Sequence, residues 1–203
     1  PEPGENAGVR AIGDSCAGGD GVCLGLKYVA FRDISGEAIE SDRAVINNLR
    51  VVNQLWRDCG IQFQVDRYES VDPRAHELRY RTANYPELTQ IRRRFSDDRT
   101  LLIVTTGPWN RAGTLGNTWA NAWTNLPGEG LYGAILEGLP GRNQGENAGV
   151  IAHELGHYLS LDHASDSSAL MNPVIYNQST RLTRAECRSA RWAAKKFWKG
   201  MLR

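Results

Sequence analysis

Three of the four histidines in this 203-residue chain lie within eleven consecutive residues, HELGHYLSLDH (153–163). His153 and His157 are four residues apart. On an α-helix their imidazoles sit one turn apart on the same face. That spacing lets two rings grip one zinc ion, and it leaves Glu154 rotated off the metal axis, where it can hold a water molecule rather than the metal. His163 does not fit a continuous helix, because ten further residues would carry it roughly 15 Å along the axis. Either it is unrelated to the pair, or the helix ends soon after His157 and the chain doubles back. Ser160 and Asp162 compete with the helix through their side chains. The run ASDSSA beyond His163 has turn character. An early ending is therefore expected. Three neutral imidazoles would leave zinc one open position, the pattern of a catalytic site rather than a closed structural one.

The elements that must position these residues alternate in type. LGLKYVAFRD (24–33), IQFQVDRYE (61–69), RTLLIVTTG (99–107) and LYGAILE (131–137) read as strands. The third is apolar on both faces and is expected at the centre of a sheet. Residues 44–60 read as a helix capped by Ser41 or Asp42 and stopped by Gly60. Residues 86–97 read as a short helix. The helix holding the histidine pair is expected over 148–159, capped by Asn147. A last helix is expected over 183–200, with Thr183 and Glu186 forming a capping box. This order implies a mixed α/β domain with the histidine helix packed on a sheet.

Composition is that of an ordinary globular domain, 41% hydrophobic and 23% charged, with no apolar run of membrane-spanning length. Net charge is +1, but residues 181–203 hold eight Lys/Arg against one acid, so the rest of the chain sums to −6. The plain reading of that basic stretch is a solvated helix face. Contact with nucleic acid or acidic lipid is the alternative, and no nucleic-acid motif accompanies it. The four cysteines contain no C-x-x-C pair, so two structural disulfides and an oxidising compartment are expected. The preferred pairing is Cys16–Cys23 and Cys59–Cys187. His76 reads as a surface residue.

HELGHYLSLDH resembles the extended zinc motif of the metzincin peptidases, HExxHxxGxxH. ALMNP (169–173) resembles their Met-turn, and the eight-residue step from His163 to Met171 matches the matrixin branch. The resemblance is close over 148–200; residues 24–147 match only in element order. It implies a zincin-like α/β fold: a twisted, mostly parallel mixed sheet with an active-site helix, and a small C-terminal subdomain ending in a helix. As domains it implies one catalytic unit over 1–203, with an irregular N-terminal segment 1–23, an upper subdomain 24–160 and a lower subdomain 161–203.

The implied activity is that of a secreted, monomeric zinc endopeptidase. One zinc ion would be held by His153, His157 and His163. Glu154 would act as general base and Met171 as an apolar floor. Pro173 and Tyr176 would wall the pocket beyond the scissile bond. Trp119 and Trp123, in GNTWANAWTN (116–125), would lie near an edge strand that pairs with an extended peptide. Where the motif has glycine this chain has Ser160, at a turn that favours positive φ.

Three alternatives stay open. Glu186 could replace His163 as third ligand, zinc could merely stabilise a binding module, and Asp14 or Cys16 could block the metal as a latency switch. Calcium is possible, but no calcium-binding pattern is present.

Overall fold

The computed structural model describes residues 9–16, 21–118, 120–138 and 144–203, with the backbone alone at 117 and 144–146. Trp119 lies outside the described residues.

A six-stranded sheet forms the centre. Its strands are β1 (Arg10–Ile12), β2 (Val22–Phe31), β3 (Ile61–Val71), β4 (Leu101–Thr106), β5 (Ala122–Trp123) and β6 (Ala134–Glu137), in the order β1-β3-β2-β4-β6-β5. β3, β2, β4 and β6 run parallel, and each edge strand is antiparallel to its neighbour. The fold is thus the expected mixed, mostly parallel sheet with helices. β2 is buried along its whole length, as a strand covered on both faces must be.

The two-residue period of the strands sorts their side chains into two cores. Leu24, Leu26 and Tyr28 of β2, with Leu101 and Ile103 of β4, face α1 (Asp42–Trp56), α3 (Gln144–Tyr158) and α4 (Arg184–Phe197). Val29, Phe31, Leu102 and Val104 face the other way, toward Leu88, Ile91 and Phe95 of α2 (Tyr85–Phe95).

Local chemistry explains most boundaries. Ser41 caps α1 by accepting from the Ala44 amide, and Gly60 takes φ 63° after a single 3-10 turn at 57–59. Thr183 and Glu186 form the expected capping box of α4. Two disulfides, Cys16–Cys23 and Cys59–Cys187, join the N-terminal segment to β2 and the end of α1 to α4.

Three expectations are corrected. The N-terminal segment is not wholly irregular, because residues 10–12 add an edge strand to β3. The strand expected from 131 starts only at Ala134, after Gly133 at φ 151°. Asn147 does not cap α3, which already runs from Gln144; its amide donates instead to the buried Glu40 carboxylate at 3.4 Å. His76 lies at the surface as expected, half-exposed, edge-on to Phe95 and accepting from Arg94 Nε at 3.0 Å.

Candidate metal centre

α3 brings His153 and His157 together by its own periodicity, and its last turn brings His163 to them. The helix closes with Ser160 at φ 59°. The Leu161 amide donates to the Gly156 carbonyl and the Ser160 amide to the His157 carbonyl, both at 3.0 Å. These two bonds define a Schellman motif, with serine in the left-handed position that glycine usually fills. The backbone therefore makes the turn that the family glycine would make. Beyond it, the Ala164 amide donates to the Met171 carbonyl at 2.8 Å, which ties the segment after His163 to the turn at 169–172.

The three imidazoles converge. Their ligand atoms all lie within 4.8 Å of one another. His157 Nε2 is 3.1 Å from His153 Nε2 and 3.2 Å from His163 Nε2. Nitrogens bound tetrahedrally to one zinc ion stand about 3.3 Å apart. The other ring nitrogens fix the tautomers: His153 Nδ1 faces the Leu170 carbonyl and His157 Nδ1 the Leu161 carbonyl, each at 2.9 Å. A carbonyl only accepts, so each Nδ1 carries the proton and each Nε2 lone pair is free for a cation. Burial also holds the His153 imidazole down at about 4, which keeps it neutral at ordinary pH. The donor set fits zinc.

Glu154 is 6% exposed, and its Oε2 finds no hydrogen-bond partner among the described residues. Burial pushes its carboxyl up to about 7, against smaller downward pulls from the Thr124 hydroxyl and the Arg92 guanidinium. Thr124 Oγ1 is itself buried without a geometrically sound hydrogen bond, so its pull on the carboxyl is that of a nearby dipole. A buried, under-satisfied carboxylate beside three convergent imidazoles is poised to take a proton from a water molecule.

The cleft over these groups is lined by β5, including Trp123, and by Pro173, Ile175 and Tyr176. Met171 is fully buried, with its sulfur packed where a Cβ on Gly156 would stand, so glycine at 156 is what lets this turn lie against α3.

Glu186 is not a third ligand. Its carboxylate accepts from the Thr183 amide at 2.6 Å as a helix cap, away from the imidazole group. Cys16 is held in a disulfide and has no thiolate to offer a metal. Asp14 is exposed, 3.7 Å from Arg50 Nε, and does not line the cleft.

Sequence reading missed Arg92. It is a guanidinium only 2% exposed, donating to the carbonyls of Gly133 and Trp123 at 2.8 Å each. It thereby holds the edge strand β5 from behind. Its place in α2 was the available signal, since Leu88, Ile91 and Phe95 put residue 92 on the apolar face.

This sheet, its helices and the HExxH turn give the chain a fold of the metzincin type. The chain belongs to the matrixin family, whose model (Peptidase_M10: Matrixin) matches residues 58–190. Matrixins are zinc metallopeptidases, hydrolases of peptide bonds. No curated protein matches the chain. Among solved structures it is similar to metalloproteinase-II from Bacteroides fragilis, at TM-score 0.54 and 16% identity over 91% of this chain and 57% of that one. It is also similar to archaemetzincin from Methanopyrus kandleri, at TM-score 0.54 and 15% identity over 85% of this chain and 96% of that one. At such identities the likeness is one of fold. The chain spans little more than half the length of the Bacteroides protein.

Proposed function

We propose that the protein is a secreted endopeptidase in which His153, His157 and His163 hold one zinc ion and Glu154 is the general base. The reading rests above all on the three convergent Nε2 atoms, two of them fixed by carbonyls behind the ring, beside the buried Glu154 carboxylate. When bound there, zinc supplies a Lewis acid that polarises the scissile carbonyl and acidifies water. Glu154 accepts a proton from the attacking water and returns it to the leaving amine. An extended peptide adds as a strand along β5, which is the edge strand of the sheet among the described residues.

Trp123 flanks the peptide on that side, and Pro173 and Tyr176 wall the pocket beyond the scissile bond. The turn at 169–172 is the Met-turn, with Met171 as the floor. The chain works as one monomeric catalytic unit, with residues 24–160 above the cleft and 161–203 below. Two disulfides, and no helix among the described residues long and apolar enough to cross a membrane, are consistent with an extracellular site of action.

Glu154→Gln tests the assignment. The variant should fold, retain one zinc per chain, and lose on the order of 10²–10⁴ in kcat, the span general acid–base catalysis contributes. Peptide hydrolysis at the wild-type rate would remove Glu154 from the mechanism. Failure of His163→Ala to lower zinc content would remove the third ligand.

A further inference from the structure

α4 buries Ala190, Ala193 and Ala194 against the fold. Its other face carries Arg184, Arg188, Trp192, Lys195 and Lys196, followed by Lys199, all exposed. From Arg188 the steps along this face are three or four residues, which makes it one continuous stripe. None of Arg184, Arg188, Lys195 and Lys199 forms a side-chain ion pair among the described residues. Arg191, by contrast, turns inward to the carbonyls of Cys59 and Gly60.

Two large rings stand among these cations. Trp192 is 54% exposed and Phe197 42%. They pack edge to face with centroids 5.5 Å apart, and Lys196 Nζ lies 4.4 Å from the Trp192 ring and 5.3 Å from that of Phe197.

We propose that this face of α4 docks the protein on an anionic membrane surface. Its chemistry is chiefly positive charge and aromatic bulk: residues 187–203 contain no Asp or Glu, and residues 184–203 contain no Asn or Gln. From residue 187 on, the amides that read adenine and the carboxylates that read cytosine are therefore missing. The rings are set edge to face under an ammonium rather than opened as a flat platform, so neither offers a free face shared with the other for stacking on a base. A bilayer interface asks for neither feature. It accepts tryptophan and phenylalanine at headgroup depth in any orientation, and lysine stems lie along the acyl boundary with their ammonium groups in water. The charge asymmetry gives the direction of approach. The stretch 181–203 carries a net +7 and the rest of the chain −6, so an anionic surface attracts α4 and repels the remainder.

Co-sedimentation of the full chain with vesicles tests this. Vesicles of equal parts phosphatidylglycerol and phosphatidylcholine should retain the protein, and pure phosphatidylcholine vesicles should not. Raising salt should release it. The K195Q/K196Q variant should partition about 25-fold more weakly, at about fivefold per cation, and W192A/F197A about tenfold more weakly. Melting and peptide hydrolysis should match wild type in both, since these residues are exposed and outside the cleft. Equal binding to neutral vesicles would overturn the proposal. So would full retention by either variant on the mixed vesicles, or capture by soluble dextran sulfate as tight as by vesicles and indifferent to W192A/F197A.

Discussion

His157 donates through Nδ1 to the carbonyl of Leu161, four residues ahead and just past the end of its own helix. The turn that ends α3 thus also orients one of the rings the helix carries. Leu161 is the residue whose amide closes the Schellman motif, so one residue donates to the helix end and accepts from the imidazole. Serine at 160 holds the required φ of 59° at a steric cost glycine would not bear. Ser160→Gly should therefore raise the stability of the metal-free protein by up to about 1 kcal/mol, less whatever the freer unfolded chain takes back. Urea unfolding of the metal-free forms measures it, and zinc stoichiometry should be unchanged.

The metal-free protein should also show a pH signature belonging to Glu154. Its carboxyl titrates near 7 in the folded chain against 4.5 when unperturbed, because burial disfavours the charge. A folded pKa above the unfolded one stabilises fully below the unfolded value and loses that contribution as pH rises through the folded value. Glu154→Gln does not titrate. The variant's stability advantage over wild type should therefore grow from pH 4.5 to 7 and then level off. His153 has the opposite sign, held near 4 against 6.5; its contribution is lost from both proteins alike as pH falls from 6.5 toward 4, so it cancels in the comparison. Thermal melts of the two metal-free proteins across this range, if parallel throughout, would show that Glu154 is not buried as described.

The split between what the residues alone disclosed and what they hid follows from the range of the interactions. His153, His157 and the capping box at Thr183 are set by contacts within four residues, so spacing was enough. The reversal at Ser160 was readable because polar side chains oppose a helix locally. The burial of Arg92 could be read from its helical face, but its partners, Gly133 and Trp123, could not, being 41 and 31 residues away in sequence. In the run RRR alone it looks like a solvated cation. Glu40 was hidden for the same reason: it is a buried carboxylate accepting from Tyr28 of β2 and Thr105 of β4. Tertiary burial of a charge leaves little local trace.

Arg92→Met keeps the bulk of the side chain and removes both carbonyl contacts. Each carbonyl left unpaired costs about 1–3 kcal/mol. If β5 is the edge that peptides join, its loss of support should raise KM for extended peptides more than it lowers kcat, and affect short substrates little. Arg92→Lys, which can still reach one carbonyl, should recover part of the KM. A loss of kcat alone, with KM unchanged for long peptides, would assign Arg92 to the chemistry near Glu154 instead of to the strand.

The Cys59–Cys187 bond spans 128 residues and joins the end of α1, which packs on α3, to α4, whose Trp198 donates to the Tyr158 carbonyl at the end of α3. A cross-link of that span restricts the unfolded chain by about 4–5 kcal/mol in the chain-entropy account, against about 2–3 for the seven-residue separation of Cys16 and Cys23. The double substitution Cys59→Ala/Cys187→Ala should thus destabilise more than Cys16→Ala/Cys23→Ala. Because α1 and α4 both brace the helix that carries His153 and His157, the first pair should also weaken zinc retention on mild denaturation while the second leaves it intact. Urea titration with a chromophoric zinc chelator reads unfolding and metal release together. Release at the same urea concentration in both variants would show that the α1–α4 bond does not brace the metal centre.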